Sequence, residues 1–206
     1  MSQPRIIIVN TGDKFDEWYT DNLIYMCEKW SGLNGYYEII RDEKFEGVFN
    51  KFQMFDRFRS GQNIYFDLDI LIKGDVTHLL RKDFTVCHAW WRDEWHTPIN
   101  SSVISWEGDM SSISDKFFED PEYHMLKYRN KCPETKDGDG GMDEFISTQF
   151  TYQTYKKEDG ICSIQTIDRE LDQFPVYLFN QRYKDLPKNL WYRKFLLLPP
   201  KPLQQF

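Results

Sequence analysis

The sequence is short of the features that mark several large protein classes. Its 206 residues include four cysteines, Cys27, Cys87, Cys132 and Cys162, far apart and with neither a CxxC pair nor a Cys/His zinc spacing. His78, His88, His96 and His124 show no ligand spacing among themselves, so packed or surface histidines are expected. No run of about 18 apolar residues occurs, so no membrane-spanning helix is predicted. The opening "MSQPRIIIVNTGDKF" lacks the basic region and long apolar segment of a secretory signal. With reduced thiols, this points to a cytoplasmic location, and the Asn100-Ser101-Ser102 sequon then carries no weight. A formal net charge of -7 without a Lys/Arg cluster excludes a surface that tracks a nucleic-acid backbone. A local positive pocket for a small phosphate ligand stays open. There is no internal repeat and no low-complexity stretch.

What is present is apolar and aromatic: 40% hydrophobic residues and 17% aromatics are enough for one domain with a substantial core. A single domain over residues 1–206 is expected, with 185–206 as an irregular tail rich in Pro, Lys and aromatics. "RIIIVN" reads as a buried strand, residues 16–30 carry helical apolar spacing ended by "SGLNG", and "YYEII" reads as a second strand. "GVFNKFQMFDRFRSG" reads as a second helix and "NIYFDLDILI" as the next strand. The order β-α-β-α-β predicts an α/β layer with a mainly parallel sheet flanked by helices. Further on, "FTVCHAW", "SSVISW" and "ICSIQTI" read as strands, and residues 113–128 and "MDEFISTQFTYQTY" as helices.

The centre of interest is "NIYFDLDILIKGDV", where Asp67 and Asp69 end an apolar run. Burying a carboxylate costs free energy unless it is paired, hydrogen-bonded or bound to a metal. In a strand, residues i and i+2 share a face, so both carboxylates are expected to project together, roughly 7 Å apart at Cα. Such a pair repels itself until a hard cation such as Mg²⁺ or Mn²⁺ joins it, with open positions for phosphate oxygens. In open α/β sheets ligands bind beyond the carboxyl ends of strands, where these residues fall. Ordinary solvated strand-end aspartates are the competing reading.

The flanks of this motif resemble those of GT-A fold nucleotide-sugar glycosyltransferases, especially the group containing glycogenin and bacterial galactosyltransferases, with related small bacterial and phage enzymes. "IYFDLDILIKGDVTHL" resembles the D-x-D segment, preceded by an aromatic helix with a lysine, here Lys51, and followed by Gly74-Asp75. "VNTGDKF", with Thr11 and Phe15, resembles the Thr-x-x-x-Tyr that grips base and ribose. "INSSVISW" resembles Phe-Asn-Ser-Gly-Val, which makes Asn100 a donor-sugar residue, and "GMDEFI" resembles Gly-Asp-Gln-x-x-Ile, which makes Asp143 another. The matches run in order from Arg5 to about Phe150. The sequence departs from the pattern at Phe15, which lacks the tyrosine hydroxyl, at Glu144 in place of Gln, and at Leu197, where the group often has a metal-binding His before Lys201-Pro202.

The resemblance implies a GT-A fold and transfer of a sugar from a nucleotide diphosphate sugar, a UDP-sugar in this group, to a hydroxyl acceptor that the sequence does not name. It implies Mn²⁺ or Mg²⁺ on Asp67 and Asp69, the diphosphate near Asp67 and Lys51, the nucleoside on Thr11 and Phe15, and catalytic roles at the sugar for Asn100 and Asp143. Each residue also has a structural alternative: a solvated helix lysine for Lys51, a turn residue for Asn100, a helix N-terminal acid for Asp143. Trp90, Trp91 and Trp95 could pack as a core corner or line an acceptor site. A haloacid-dehalogenase-like phosphohydrolase shares "FDLD", but that motif belongs on a first strand, and a binding module of the same fold without efficient turnover is a second alternative.

Overall fold

Alternation along the first strand organises both faces of the main sheet. In β1 (Arg5–Val9), Ile6 and Ile8 enter one apolar cluster and Ile7 enters another on the opposite side, as the two-residue period of a strand requires. The computed structural model describes residues 3–92, 96–129, 140–163 and 174–179. Within them the chain forms β1, α1 (Glu17–Trp30), β2 (Tyr36–Ile40), a 3-10 turn (Gly47–Phe52) continuing into α2 (Gln53–Arg57), β3 (Gln62–Phe66) and β4 (Ile70–Ile72). Then follow β5 (Thr85–His88), β6 (Ile99–Glu107), α3 (Ser111–Phe118), α4 (Pro121–Tyr128), α5 (Gly141–Gln149), β7 (Gln153–Tyr155), β8 (Ile161–Ser163) and β9 (Val176–Leu178).

The main sheet runs β2-β1-β3-β6-β5-β7. The pairs β1–β2, β1–β3 and β5–β7 are parallel, whereas β6 runs antiparallel to both β3 and β5, so the sheet is mixed with a parallel majority. A small sheet, β4-β9-β8, packs with α1 over the face that carries Ile6 and Ile8. The other face is covered by the 3-10 turn and by α2, α3 and α5, through an aromatic cluster centred on Phe117. Phe117 stacks on Phe52 at 4.2 Å between centroids and meets Phe49, Phe45 and Phe145 within 6 Å. That ring touches α5, the 3-10 turn and the segment before it from α3.

Four expectations need correction. "NIYFDLDILI" is two strands in two sheets, because the chain leaves the main sheet after Phe66, turns through Leu68-Asp69, and pairs Ile70–Ile72 antiparallel with β9. Residues 113–128 are not one helix. Pro121 lacks the amide a helix interior needs and instead starts α4, with the Asp120 carboxylate accepting the Tyr123 N–H at 3.0 Å. The helix beginning in "MDEFIS" ends at Gln149, and "QTY" joins the main sheet as β7 beside β5. Before α2, the segment around Lys51 is a 3-10 turn, not α-helix. Of "ICSIQTI" only Ile161–Ser163 lies among the described residues, and the tail 185–206 lies outside them.

Cys27, Cys87 and Cys162 are buried and form no disulfide among the described residues, and burial pushes the Cys27 and Cys87 thiols well up. Cys132 lies outside the described residues. No helix among the described residues is long and apolar enough to cross a membrane. Phe117→Ala should lower the unfolding free energy by about 3–5 kcal/mol, as the lost transfer energy adds to the cavity left among the surrounding rings. Urea unfolding checks this, and a change below about 1 kcal/mol would show that the aromatic cluster is not what holds α3 and the 3-10 turn on the sheet.

Candidate active site

At the carboxyl end of β3 the chain must part from the main sheet, and the site is built where it does so. The Asp67 N–H still donates to the Ser102 carbonyl at 2.8 Å, one step beyond the last ladder pair, Phe66–Val103. Leu68 then turns inward, 3% exposed, and Asp69 follows in the turn. The two aspartates therefore lie on a sheet-to-sheet turn and not on one strand face. Leu68 sets the turn because it is the apolar residue between two carboxylates and must find the core.

Beside them β6 is irregular. Thr85 and Val86 pair with Ser105 and Ile104, but Cys87 and His88 pair with Asn100 and Ile99, so Ser101–Val103 are extra residues on β6 relative to β5. A bulge of this kind frees backbone amides that need partners. The Ser102 N–H donates to Asn100 Oδ1 at 3.0 Å, and the Ser101 N–H to Asp143 Oδ1 at 2.9 Å. Asn100 and Asp143 thus have structural work in the bulge, while both also line a cavity.

Asp67 is clamped from two sides. Lys51 Nζ lies 2.7 Å from Asp67 Oδ1, and the buried Tyr65 hydroxyl donates to the same oxygen. Burial would raise the Asp67 carboxyl, but the Lys51 charge, with the Tyr65 and Ser102 hydroxyls, holds it below the ordinary range. Asp69 is 7% exposed and forms no ion pair among the described residues. Burial and the neighbouring Asp67 charge push its carboxyl up to about 7, against the pull of Lys14 and Lys51. Burial also raises Asp143, only partly offset by Arg92, Ser101 and Lys51.

Two cavities open on either side of this pair. One, of about 150 Å³ and mainly apolar in character, is lined by Val9, Thr11, Phe15, Gly47, Tyr65 and Leu68. The other, of about 210 Å³, is lined by Asn100, Ser101, Ser102, Gly140, Met142 and Asp143. Lys14, Val48, Lys51, Asp67 and Asp69 line both. Gly141 has φ of 56°, in the left-handed region, and a Cβ there would meet Val48 Cγ2 at 2.9 Å, so the α5 start and the 3-10 turn approach closely over the second cavity.

All seven residues singled out in the sequence, Thr11, Phe15, Lys51, Asp67, Asp69, Asn100 and Asp143, line one or both cavities. Gly74, Asp75 and Glu144 line neither, and Asp75 instead accepts from the Thr77 N–H at 2.8 Å. Trp90 and Trp91 meet edge to face at 4.8 Å and pack against the core cluster of α1 and the small sheet. Trp95, Leu197 and Lys201-Pro202 lie outside the described residues. Sequence reading missed Lys14, Val48, Ser101, Ser102 and Arg92. For Lys14 a signal existed, since it lies between Thr11 and Phe15, but an isolated lysine is ordinarily solvated.

Among the described residues no three His, Cys, Asp or Glu side chains converge as a complete metal cage. The acidic pair nevertheless fits a hard cation with open positions. Asp69 is a nearly buried carboxylate with no ion pair among the described residues, beside a second carboxylate, at the junction of two cavities.

No protein-family model and no curated protein sequence matches the chain. Solved structures do. Galactosyltransferase LgtC, determined in complex with donor and acceptor sugar analogs, is similar with a TM-score of 0.63 at 9% identity, over 98% of this chain and 100% of that one. GlyE of Streptococcus pneumoniae TIGR4, a glycosyltransferase, gives 0.57 at 12% identity over 100% of this chain. The chain spans 63% of the length of GlyE. A glycosyltransferase involved in the glycosylation of the major capsid of PBCV-1 gives 0.53 at 14% identity, over 84% of this chain and 92% of that one. At these identities the likeness defines the fold: the chain has a GT-A-like fold shared with glycosyltransferases.

The raised Asp69 carboxyl has a sign that can be tested. Folding takes up a proton there between the ordinary aspartate value, about 3.9, and about 7, so the contribution of Asp69 to stability falls as pH rises through that window. Without divalent metal, the stability of Asp69→Asn should therefore gain on that of the wild type as pH goes from 5 to 8. Urea midpoints in EDTA at both pH values measure this, and parallel trends in the two proteins would refute it.

Proposed function

We propose that the protein is a glycosyltransferase that uses a nucleotide diphosphate sugar, a UDP-sugar, and a divalent cation, Mn²⁺ or Mg²⁺, held by Asp67 and Asp69. The observation that carries this reading is the shared wall: Lys51 and the two aspartates line both the apolar cavity and the polar one. A donor laid across that wall has its nucleoside on one side, its diphosphate at the junction and its sugar on the other. Three buried cysteines that form no disulfide among the described residues further suit a reducing, cytoplasmic compartment.

In this arrangement Phe15 offers a ring face to the base, and Thr11 a hydroxyl to the nucleoside. Lys51 sits 2.7 Å from Asp67 and 3.4 Å from the Ser101 hydroxyl, so its ammonium can turn toward a phosphate oxygen without leaving the wall. Lys14 adds a second positive charge at the same junction. When bound, a divalent cation supplies further positive charge against the leaving diphosphate. Asn100 has its side-chain oxygen committed to Ser102, which leaves the amide N–H groups for hydroxyls of a sugar in the polar cavity. Asp143 accepts from the other side of that cavity and orients the sugar toward the acceptor oxygen. The acceptor is a hydroxyl compound.

The test is nucleotide release from UDP-, GDP-, ADP- and TDP-sugars with Mn²⁺, Mg²⁺ or EDTA, run beside Asp69→Ala. The expected result is metal-dependent release from a UDP-sugar, lower by at least about 10²-fold in the variant. Wild-type turnover by Asp69→Ala would end the metal-centred reading. Metal-dependent UDP-sugar binding without release, acceptors included, would instead favour a binding module. Loss of Lys51 in Lys51→Met should raise the KM for the donor and lower kcat by about tenfold or more, because Lys51 serves both the diphosphate and the Asp67 carboxylate. Steady-state kinetics on the same donor checks this, and unchanged constants would remove Lys51 from the diphosphate site.

A further inference from the structure

Arg92 touches neither metal-side aspartate and lines neither cavity, yet it reaches three parts of the sugar-side wall at once. Its Nη1 donates to the Ile99 carbonyl at 2.8 Å and to the Thr97 carbonyl at 3.3 Å, the two carbonyls that lead into Asn100 and the bulge. The same Nη1, with Nη2, faces Asp143 Oδ2 at 3.3 and 3.4 Å. Both side chains are largely buried, with 14% and 13% of their surface exposed. The loop that carries Arg92 is closed at its base by the Ala89 N–H on the Pro98 carbonyl at 2.8 Å, and the Arg92 N–H caps the Ala89 carbonyl at 2.9 Å.

We infer that Arg92 is a positioning residue for the donor sugar: its guanidinium fixes the Asp143 carboxylate beside Ser101 and sets the entry of β6 that carries Asn100. The inference rests on the transferase reading for the word sugar, but not for the Arg92–Asp143 geometry. Each Asp143 oxygen has its own task. Oδ1 holds the Ser101 N–H of the bulge and Oδ2 faces the guanidinium, at distances long for a charge-assisted pair, so Oδ2 keeps capacity for a hydroxyl donor in the cavity. Nη1 carries both carbonyl contacts and Nη2 also faces the carboxylate, so the second nitrogen of the fork holds Asp143 without giving up the carbonyls, which the single nitrogen of a lysine lacks.

The other groups facing Asp143 do not replace Arg92. Lys51, from the 3-10 turn, acts on Asp143 through space while paired with Asp67. Tyr65 from β3 and Cys87 from β5 are neutral, because burial raises both well above their ordinary values. Asp143 therefore depends on one direct cationic partner among the described residues. Without it, a buried carboxylate must take a proton or swing away. Either change alters the sugar side and leaves the nucleoside cavity, built from β1, the 3-10 turn and β3, untouched.

The experiment compares the full-length wild type with Arg92→Gln and Arg92→Lys, using Asp143→Asn to assign the Asp143 carboxyl in a ¹³C-aspartate NMR titration. Arg92→Gln should raise the Asp143 midpoint by about one pH unit or more, a tenfold gain in proton affinity, with the Asp67 and Asp69 resonances unmoved. In parallel, calorimetry with Mn²⁺ measures UDP against UDP-glucose and UDP-galactose. The expected result is about tenfold weaker binding of the nucleotide sugar that the wild type accepts, with UDP affinity within about twofold. An unshifted Asp143 midpoint in Arg92→Gln, or equal weakening of UDP and the UDP-sugar, overturns the assignment. If Arg92→Gln does not fold, Arg92→Lys decides. A midpoint near wild type with lost preference for the UDP-sugar supports the fork, and retained preference refutes it. If the wild type binds neither UDP nor a UDP-sugar, the UDP-transferase reading fails, while the titration still settles whether Arg92 governs Asp143.

Discussion

The Lys51–Asp67 ion pair ties the 3-10 turn to the end of β3, and the rest of the site takes its position from that tie. Asp67 is held from beneath by Tyr65, from the side by Lys51 and through its backbone by Ser102 on β6. A buried charge fixed by three elements cannot drift without leaving one partner unsatisfied, which makes it a rigid reference point at the junction of the two cavities. The cost falls on the neighbour. Asp69 is buried within the field of Asp67 and pairs with no cation among the described residues, so it prefers a proton until pH reaches about 7. That second carboxylate lowers the stability of the fold as pH rises toward neutrality.

On the far side, the bulge in β6 solves a structural problem with the atoms that face the cavity. The extra residues Ser101–Val103 leave two amides outside the ladder, which Asn100 and Asp143 satisfy while lining the cavity beside Asp67. Structural and ligand-facing readings of these two residues are therefore not rivals. A carboxylate or amide that anchors a backbone amide through one atom is fixed well enough to present another atom to a ligand. Arg92 extends the same logic outward by fastening Asp143 to the loop before β6.

Much of the frame was legible along the chain. The alternation of Ile6, Ile7 and Ile8, the helical spacing from Trp18 to Cys27 and the turn residues after Trp30 each matched one local pattern, and the observed elements follow them. Legibility failed where one pattern fits two structures. An unbroken apolar run on both sides of Asp67-Leu68-Asp69 is equally a long strand or two strands in different sheets, and only the partners β6 and β9 decide. The apolar spacing of the preceding helix continues into residues 151–155, yet Gln153–Tyr155 forms β7, where Thr and Tyr suit a strand.

By itself the sequence determined the order of the first elements and the presence of an acidic pair after the third strand, which depend on neighbours within a few positions, where periodicity and turn chemistry act. The other five candidate residues came from resemblance to a family's ordered motifs and not from local pattern. Only the tertiary structure decided that β6 runs antiparallel between β3 and β5, that its bulge faces Asp67, and that Lys14, Val48 and Arg92 belong to the same region. Those contacts join residues tens of positions apart, such as Arg92 with Asp143 and Lys51 with Ser101. They form because burying the charged and polar groups of four separate segments requires that each find its partner in another.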